Sequence, residues 1–167
     1  MGKKKGAIQD QFVSHERGMR ESIAWRSLPC NARLVLDRLE LELMAHGGRD
    51  NGKLPCTYTD FEKAGIRRKS IALAIRQCEA LGFVETTHKG TQSISSFRNP
   101  SRYRLTYIYG REPNPPRTDD WKRIGTQEAA TAALKKAASE RSERHVQIAR
   151  RHHRARKADQ DLLGLAA

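Results

Sequence analysis

The feature that most constrains this chain is an amphipathic stretch bracketed by glycines. From Arg68 to Leu81, the residues Ile71, Ala74, Ile75, Cys78 and Leu81 recur as one helical stripe, with Gly65-Ile66 before them and Gly82 after them. A helix patterned this way buries one face and leaves Lys69, Ala72, Leu73 and Arg76 on the other. Its neighbours decide what fold it joins.

Upstream, a short helix is expected from Thr59 to Ala64. Thr59 and Glu62 have capping-box spacing, Phe61 turns inward, and Gly65-Ile66 closes the turn. Farther upstream, Ala32, Val35, Leu36, Leu39 and Leu43 predict a helix from about Asn31 to Ala45. Arg33, Asp37, Arg38, Glu40 and Glu42 take its opposite side, Pro29 fits its start, and Gly47-Gly48 its end. Gly48 to Gly52 reads as a turn because Asn51-Gly52 supplies positive φ. Lys53-Leu54-Pro55 suffices for one edge strand.

Downstream, Phe83 to Thr87 reads as a strand and His88 to Pro100 as a polar loop. Ser101 to Tyr109 alternates Tyr103, Leu105, Tyr107 and Tyr109 against Arg102, Arg104, Thr106 and Ile108, which predicts a half-buried strand. The order is helix, short strand, short helix, glycine turn, helix, then hairpin. That predicts a mainly α fold with a small β-hairpin wing, a winged helix-turn-helix.

Composition bounds the partner. The 167 residues carry 32 Lys plus Arg against 19 Asp plus Glu, a formal net charge of +13. The surplus falls in two blocks. Residues 67–104 hold eight basic side chains against Glu79 and Glu85, and residues 135–157 hold nine against Glu140 and Glu143. A surplus of this size points to a polyanion, nucleic acid first. The length suits one domain with tails. The expected division is a basic, flexible segment over 1–20, a folded body over 21–124, and a basic, Ala-rich, helical or disordered arm over 125–167. No apolar run approaches the ~20 residues of a membrane span, and none follows Lys3, Lys4 and Lys5 as in a secretory signal. Cys30, Cys56 and Cys78, odd in number and widely spaced, fit reduced thiols of predicted core in a cytoplasmic, nucleoid-associated protein.

Trp25-Arg-Ser-Leu28, Ala32-Arg-Leu-Val-Leu36, Asn51-Gly-Lys-Leu54, Gly65-Ile66, Ala80-Leu-Gly-Phe-Val84 and Tyr103-Arg-Leu-Thr106 together resemble bacterial winged-helix proteins. The nearest are replication-initiator-like and transcriptional-regulator types common in alphaproteobacteria, their plasmids and prophages. The resemblance runs from about Gln11 to Ile124 and does not reach the arm. It implies a fold shared by repressors, activators and initiators alike.

The candidate contacts follow from the predicted elements. Arg67, Arg68 and Lys69 sit at the start of the third helix, where such helices meet base edges and phosphates, and Ala72, Leu73 and Arg76 continue the outward face. An arginine there can take guanine bidentately, and Ala72 or Leu73 can touch a thymine methyl. Lys89 and Arg98 flank the wing loop, and Arg102 and Arg104 lie on the returning strand, facing either phosphates or away from them. Arg150, Arg151, Arg154, Arg156 and Lys157 form the basic end of the arm, suited to nonspecific backbone contact.

Metal, cofactor and catalytic motifs are not expected. His145 and His152 would stand ~10 Å apart along a helix, and no CxxC, HExxH, Gly-rich phosphate loop or nucleophile elbow occurs. The reading is a duplex-DNA-binding regulator. The alternatives are a plasmid or phage replication initiator or accessory factor, a largely nonspecific nucleoid or RNA-binding protein, and an assembly factor that does not touch DNA. A homodimer is compatible with the sequence. The Leu165-Ala166-Ala167 ending resembles the tag that bacterial unfoldase-proteases read.

Overall fold

A computed structural model describes residues 10–90, 99–109 and 114–139. Its elements in chain order are α1 (Arg17–Glu21), α2 (Ile23–Arg26), α3 (Cys30–Ala45), β1 (Leu54–Cys56), α4 (Tyr58–Lys63), α5 (Arg68–Ala80), β2 (Val84–His88) and β3 (Ser101–Leu105). A 3-10 turn over Asp120–Arg123 follows, then a helix described over 127–139, here α6. The fold is mixed, with helices around a three-stranded antiparallel sheet in the order β1-β3-β2. Among the described residues no helix is long and apolar enough to cross a membrane.

The α3 and α5 stripes meet as their periodicity requires. Val35, Leu36, Leu39 and Leu43 from α3 and Ile71, Ala74, Ile75 and Cys78 from α5 are buried with Phe61, Ile66, Leu81 and Phe83. Each such aliphatic side chain contributes roughly 1.5–3 kcal/mol by leaving water. Cys56 and Cys78 belong to this core, and burial pushes the Cys56 thiol up to about 12. Cys30, assigned to the core from sequence, is instead exposed at the first position of α3.

β3 is central. Leu54 pairs with Tyr103 on one side, and Val84 pairs with Leu105 on the other. Pro55 is tolerated because β1 is an edge strand. The β2–β3 register slips between Thr86 and His88. Thr87 is the extra residue, and its hydroxyl donates to the carbonyl oxygens of Gly52 (2.6 Å) and Arg102 (3.1 Å). Asn51 joins this sheet to the turn before β1. Its amide donates to the Leu105 carbonyl and accepts from the Leu105 N–H, both at 2.8 Å.

Four sequence expectations need correction. α4 starts one residue earlier than expected, at Tyr58, because β1 ends at Cys56 and leaves Thr57 extended. Thr57 and Asp60, not Thr59 and Glu62, form the capping box. The bond from the Thr57 hydroxyl holds the Asp60 carboxyl below its ordinary range.

The strand expected to run to Tyr109 ends at Leu105. The chain then turns, and Thr106, expected on the polar face, is buried with its hydroxyl donating to the Gly82 carbonyl at 2.6 Å. Ile108 is also buried, while Tyr109 swings out to 63% exposure. There Tyr109 donates to Glu16 and packs under the Arg117 guanidinium at 4.3 Å.

Of the segment expected to be flexible up to residue 20, the described residues 10–20 are part of the body. Met19 is in the core, and His15 lies 2.7 Å from Glu40, which also accepts from the buried Tyr107 hydroxyl. Arg117 clasps Glu16 through two nitrogens, at 2.7 and 2.9 Å.

The boundary expected at residue 124 is not one either. Ala130 and Ala137 of α6 are buried, and Leu134 packs against the core. Small side chains let a helix approach closely without a stripe of large apolar residues. Trp121 is buried in the turn before α6.

Candidate nucleic-acid interface

The two helices joined at Gly65 present one end of α5 to solvent. Gly65 takes φ +92 to end α4, and Ile66 is buried beneath the turn. Arg67 caps α5 through its backbone, and no side chain caps the helix N-terminus. Arg67, Arg68 and Lys69 are all exposed there. No carboxylate occupies the first turn, so the positive end of the helix dipole and these side chains add together.

These cations are not equally free. Arg68, 60% exposed, donates to Glu62 at 2.7 Å and lies 5.7 Å over the Tyr58 ring. Arg67 and Lys69 have no ion-pair partner among the described residues. Lys63, in the last turn of α4, and Tyr58, at its start, are exposed on the same helix pair. The sequence reading did not select them. The misplaced capping box hid them, since a helix starting at Tyr58 puts that ring beside Arg68.

The outward face of α5 does not stay open along its length. Ala72 and Leu73 are half-buried. Arg76, expected to reach a base edge, is turned against α6, and its Nε donates to the Ala137 carbonyl at 3.0 Å. It is a scaffold contact here, because α6 brings the Ala137 carbonyl within reach of the guanidinium.

The hairpin divides its arginines the same way. Lys89 and Arg102 are exposed. Arg102 stands opposite His88 and Pro55, on the solvent side of the central strand. Arg104, two residues on, is withdrawn: 14% exposed, it bonds Glu85 at 3.1 Å and donates to the Pro116 carbonyl. Its expected place among the wing contacts is therefore corrected. The strand face it shares with Arg102 is covered at that point by the chain returning after β3. Gly90 donates to the Ser101 hydroxyl at 3.0 Å, closing the base of the hairpin.

No family model, curated protein or solved structure matches this chain. The site therefore stands on its own geometry. Arg98 and the arm residues Arg150, Arg151, Arg154, Arg156 and Lys157 lie outside the described residues, as does the C-terminal Leu165-Ala166-Ala167. Among the described residues no group of three or more His, Cys, Asp or Glu could hold a metal ion. What the arrangement offers is a helix start with exposed Arg67, Arg68 and Lys69 and a hairpin with exposed Lys89 and Arg102.

Proposed function

We propose that this protein binds duplex DNA as a winged helix-turn-helix of the regulator type, with α4 and α5 as the helix pair and β2–β3 as the wing. The observation that carries this reading is the uncapped N-terminal turn of α5, where Arg67 and Lys69 are exposed without ion-pair partners among the described residues. The element order α3-β1-α4-α5-β2-β3 and the sheet order β1-β3-β2 support it. The protein acts by binding, with no catalytic step.

In this reading the first turn of α5 enters the major groove. Arg67 and Lys69 meet phosphates or base edges, Ala72 lies toward the bases, and Lys89 and Arg102 reach the flanking backbone. Arg76 and Arg104 hold the fold. The basic residues after 139 add general affinity. Selection of bound sequences from a random duplex pool tests the regulator assignment. Enrichment of one sequence is expected. Tight binding with no enrichment would leave a nonspecific nucleoid-type protein instead.

A further inference from the structure

We infer that α6 is a displaceable cover on α5 that competes with duplex DNA for the C-terminal half of its outward face. This inference rests on the DNA-binding reading above.

The path of α6 carries it. The turn over Asp120–Arg123 lies against Gly82, just past the end of α5. A Cβ on Gly82 would sit 2.5 Å from the Asp120 backbone carbon. From there α6 starts beside α2, where Gln127 donates to the Ser27 hydroxyl at 3.3 Å, and by Ala137 it has reached Arg76. It therefore runs back along α5 toward Lys69. Lys69, Ala72, Leu73, Arg76 and Ala80 fall on one side of α5 by helical periodicity. α6 occupies the Arg76–Ala80 end of that side.

Size makes the two occupants exclusive. An α-helix with its side chains is about 10–12 Å across, and the major groove is about 12 Å wide. A groove that admits α5 has no room for a second helix on the same face. Either α5 enters with its first turns alone, or α6 moves.

The contact favours movement. Opposite Arg76, Glu79 and Ala80, α6 presents Ala133, Lys136 and Ala137, none of them large and apolar, and the half-buried Leu134 packs against the core. An open groove of about 440 Å³ remains between the helices, lined by Arg76, Glu79, Ala80, Ala133, Lys136 and Ala137. The near end of α6 is anchored by the fully buried Ala130, and the far end is tied through Arg76. A helix whose far end is held by the small, buried Ala137 and by Arg76 can swing away about the Ala130 anchor.

The test uses two variants that leave the net charge unchanged, Arg76→Lys and Leu134→Ala, in the full chain. Each loosens α6 without removing a cation. Duplex affinity is read by fluorescence anisotropy on a 20-base-pair DNA, with Arg67→Ala/Lys69→Ala as reference. Both loosened variants are expected to bind about fivefold tighter, the factor that ~1 kcal/mol gives at 1.4 kcal/mol per decade. Hydrogen exchange on the unaltered protein is the second readout, and duplex is expected to speed exchange of the α6 amides after Ala130. If Arg67→Ala/Lys69→Ala weakens binding while the loosened variants bind equally or more weakly, with α6 exchange unchanged, the cover is overturned and the DNA-binding reading stands. If no protein binds duplex, both fall.

Discussion

The two ends of α5 carry similar side chains and do different work. At its start, Arg67 and Lys69 project into solvent from an uncapped helix terminus. Toward its end, Arg76 is folded back onto the Ala137 carbonyl and α6 lies alongside. The same division separates Arg102 from Arg104 on β3, two residues apart. Cation count alone therefore does not mark a binding surface. What marks it is whether the surrounding fold provides acceptors that take the guanidinium first.

The comparison can be broken most severely at the closed end. Gly82 takes φ +79, and an added Cβ would fall within 2.7 Å of three backbone atoms of Asp120 and Trp121. Gly82→Ala thus combines left-handed strain with a clash that no side-chain rotation relieves. It is expected to cost about 2–5 kcal/mol in denaturant unfolding. Below its unfolding midpoint the variant should keep the Arg67–Lys69 contribution to duplex binding. A loss of stability under 1 kcal/mol would mean that the Asp120–Arg123 turn does not pack where the account requires.

A smaller effect sharpens the contrast on β3. Arg104→Ala leaves Glu85 and the Pro116 carbonyl without their donor and is expected to cost roughly 1–3 kcal/mol. Arg102→Ala should leave the thermal midpoint in place and weaken duplex binding. Equal stability losses in the two variants would erase the distinction.

The clasp at Glu16 gives a pH signature. Hydrogen bonds from Arg117 and then Tyr109 hold Glu16 down to about 2, from an ordinary 4.5. A carboxyl depressed in the folded state adds stability above its unfolded value and loses it as pH falls toward the folded one. Stability should therefore decline between about pH 4.5 and 2, and the decline should be shallower in Glu16→Gln. Parallel pH profiles for the two proteins would remove the clasp from the account.

The parts legible in the sequence are those fixed by local pattern. The α3 and α5 stripes and the glycines after them set their helices within a residue or two, because one period and one stop signal suffice. The capping box was ambiguous: Thr57 and Thr59 each stand three residues before an acid, and only the end of β1 at Cys56 chooses between them. The roles of Arg76 and Arg104 were not legible. Their acceptors, the Ala137 and Pro116 carbonyls, belong to segments whose docking leaves no side-chain pattern. α6 itself docks through alanines, which read as helix propensity rather than as core. A truncation meant to remove only the basic arm therefore belongs after Ser139, since a cut after Ile124 would also remove the buried Ala130 and Ala137.

The most direct test of the open end is the salt dependence of duplex binding by Arg67→Ala/Lys69→Ala beside the unaltered protein. Each lost phosphate contact lowers the slope of log K against log salt by ~0.9. The account predicts a slope shallower by about 1.8 with the thermal midpoint unchanged. An unchanged slope in the folded variant would contradict it, and the first turn of α5 would not be where this protein meets DNA.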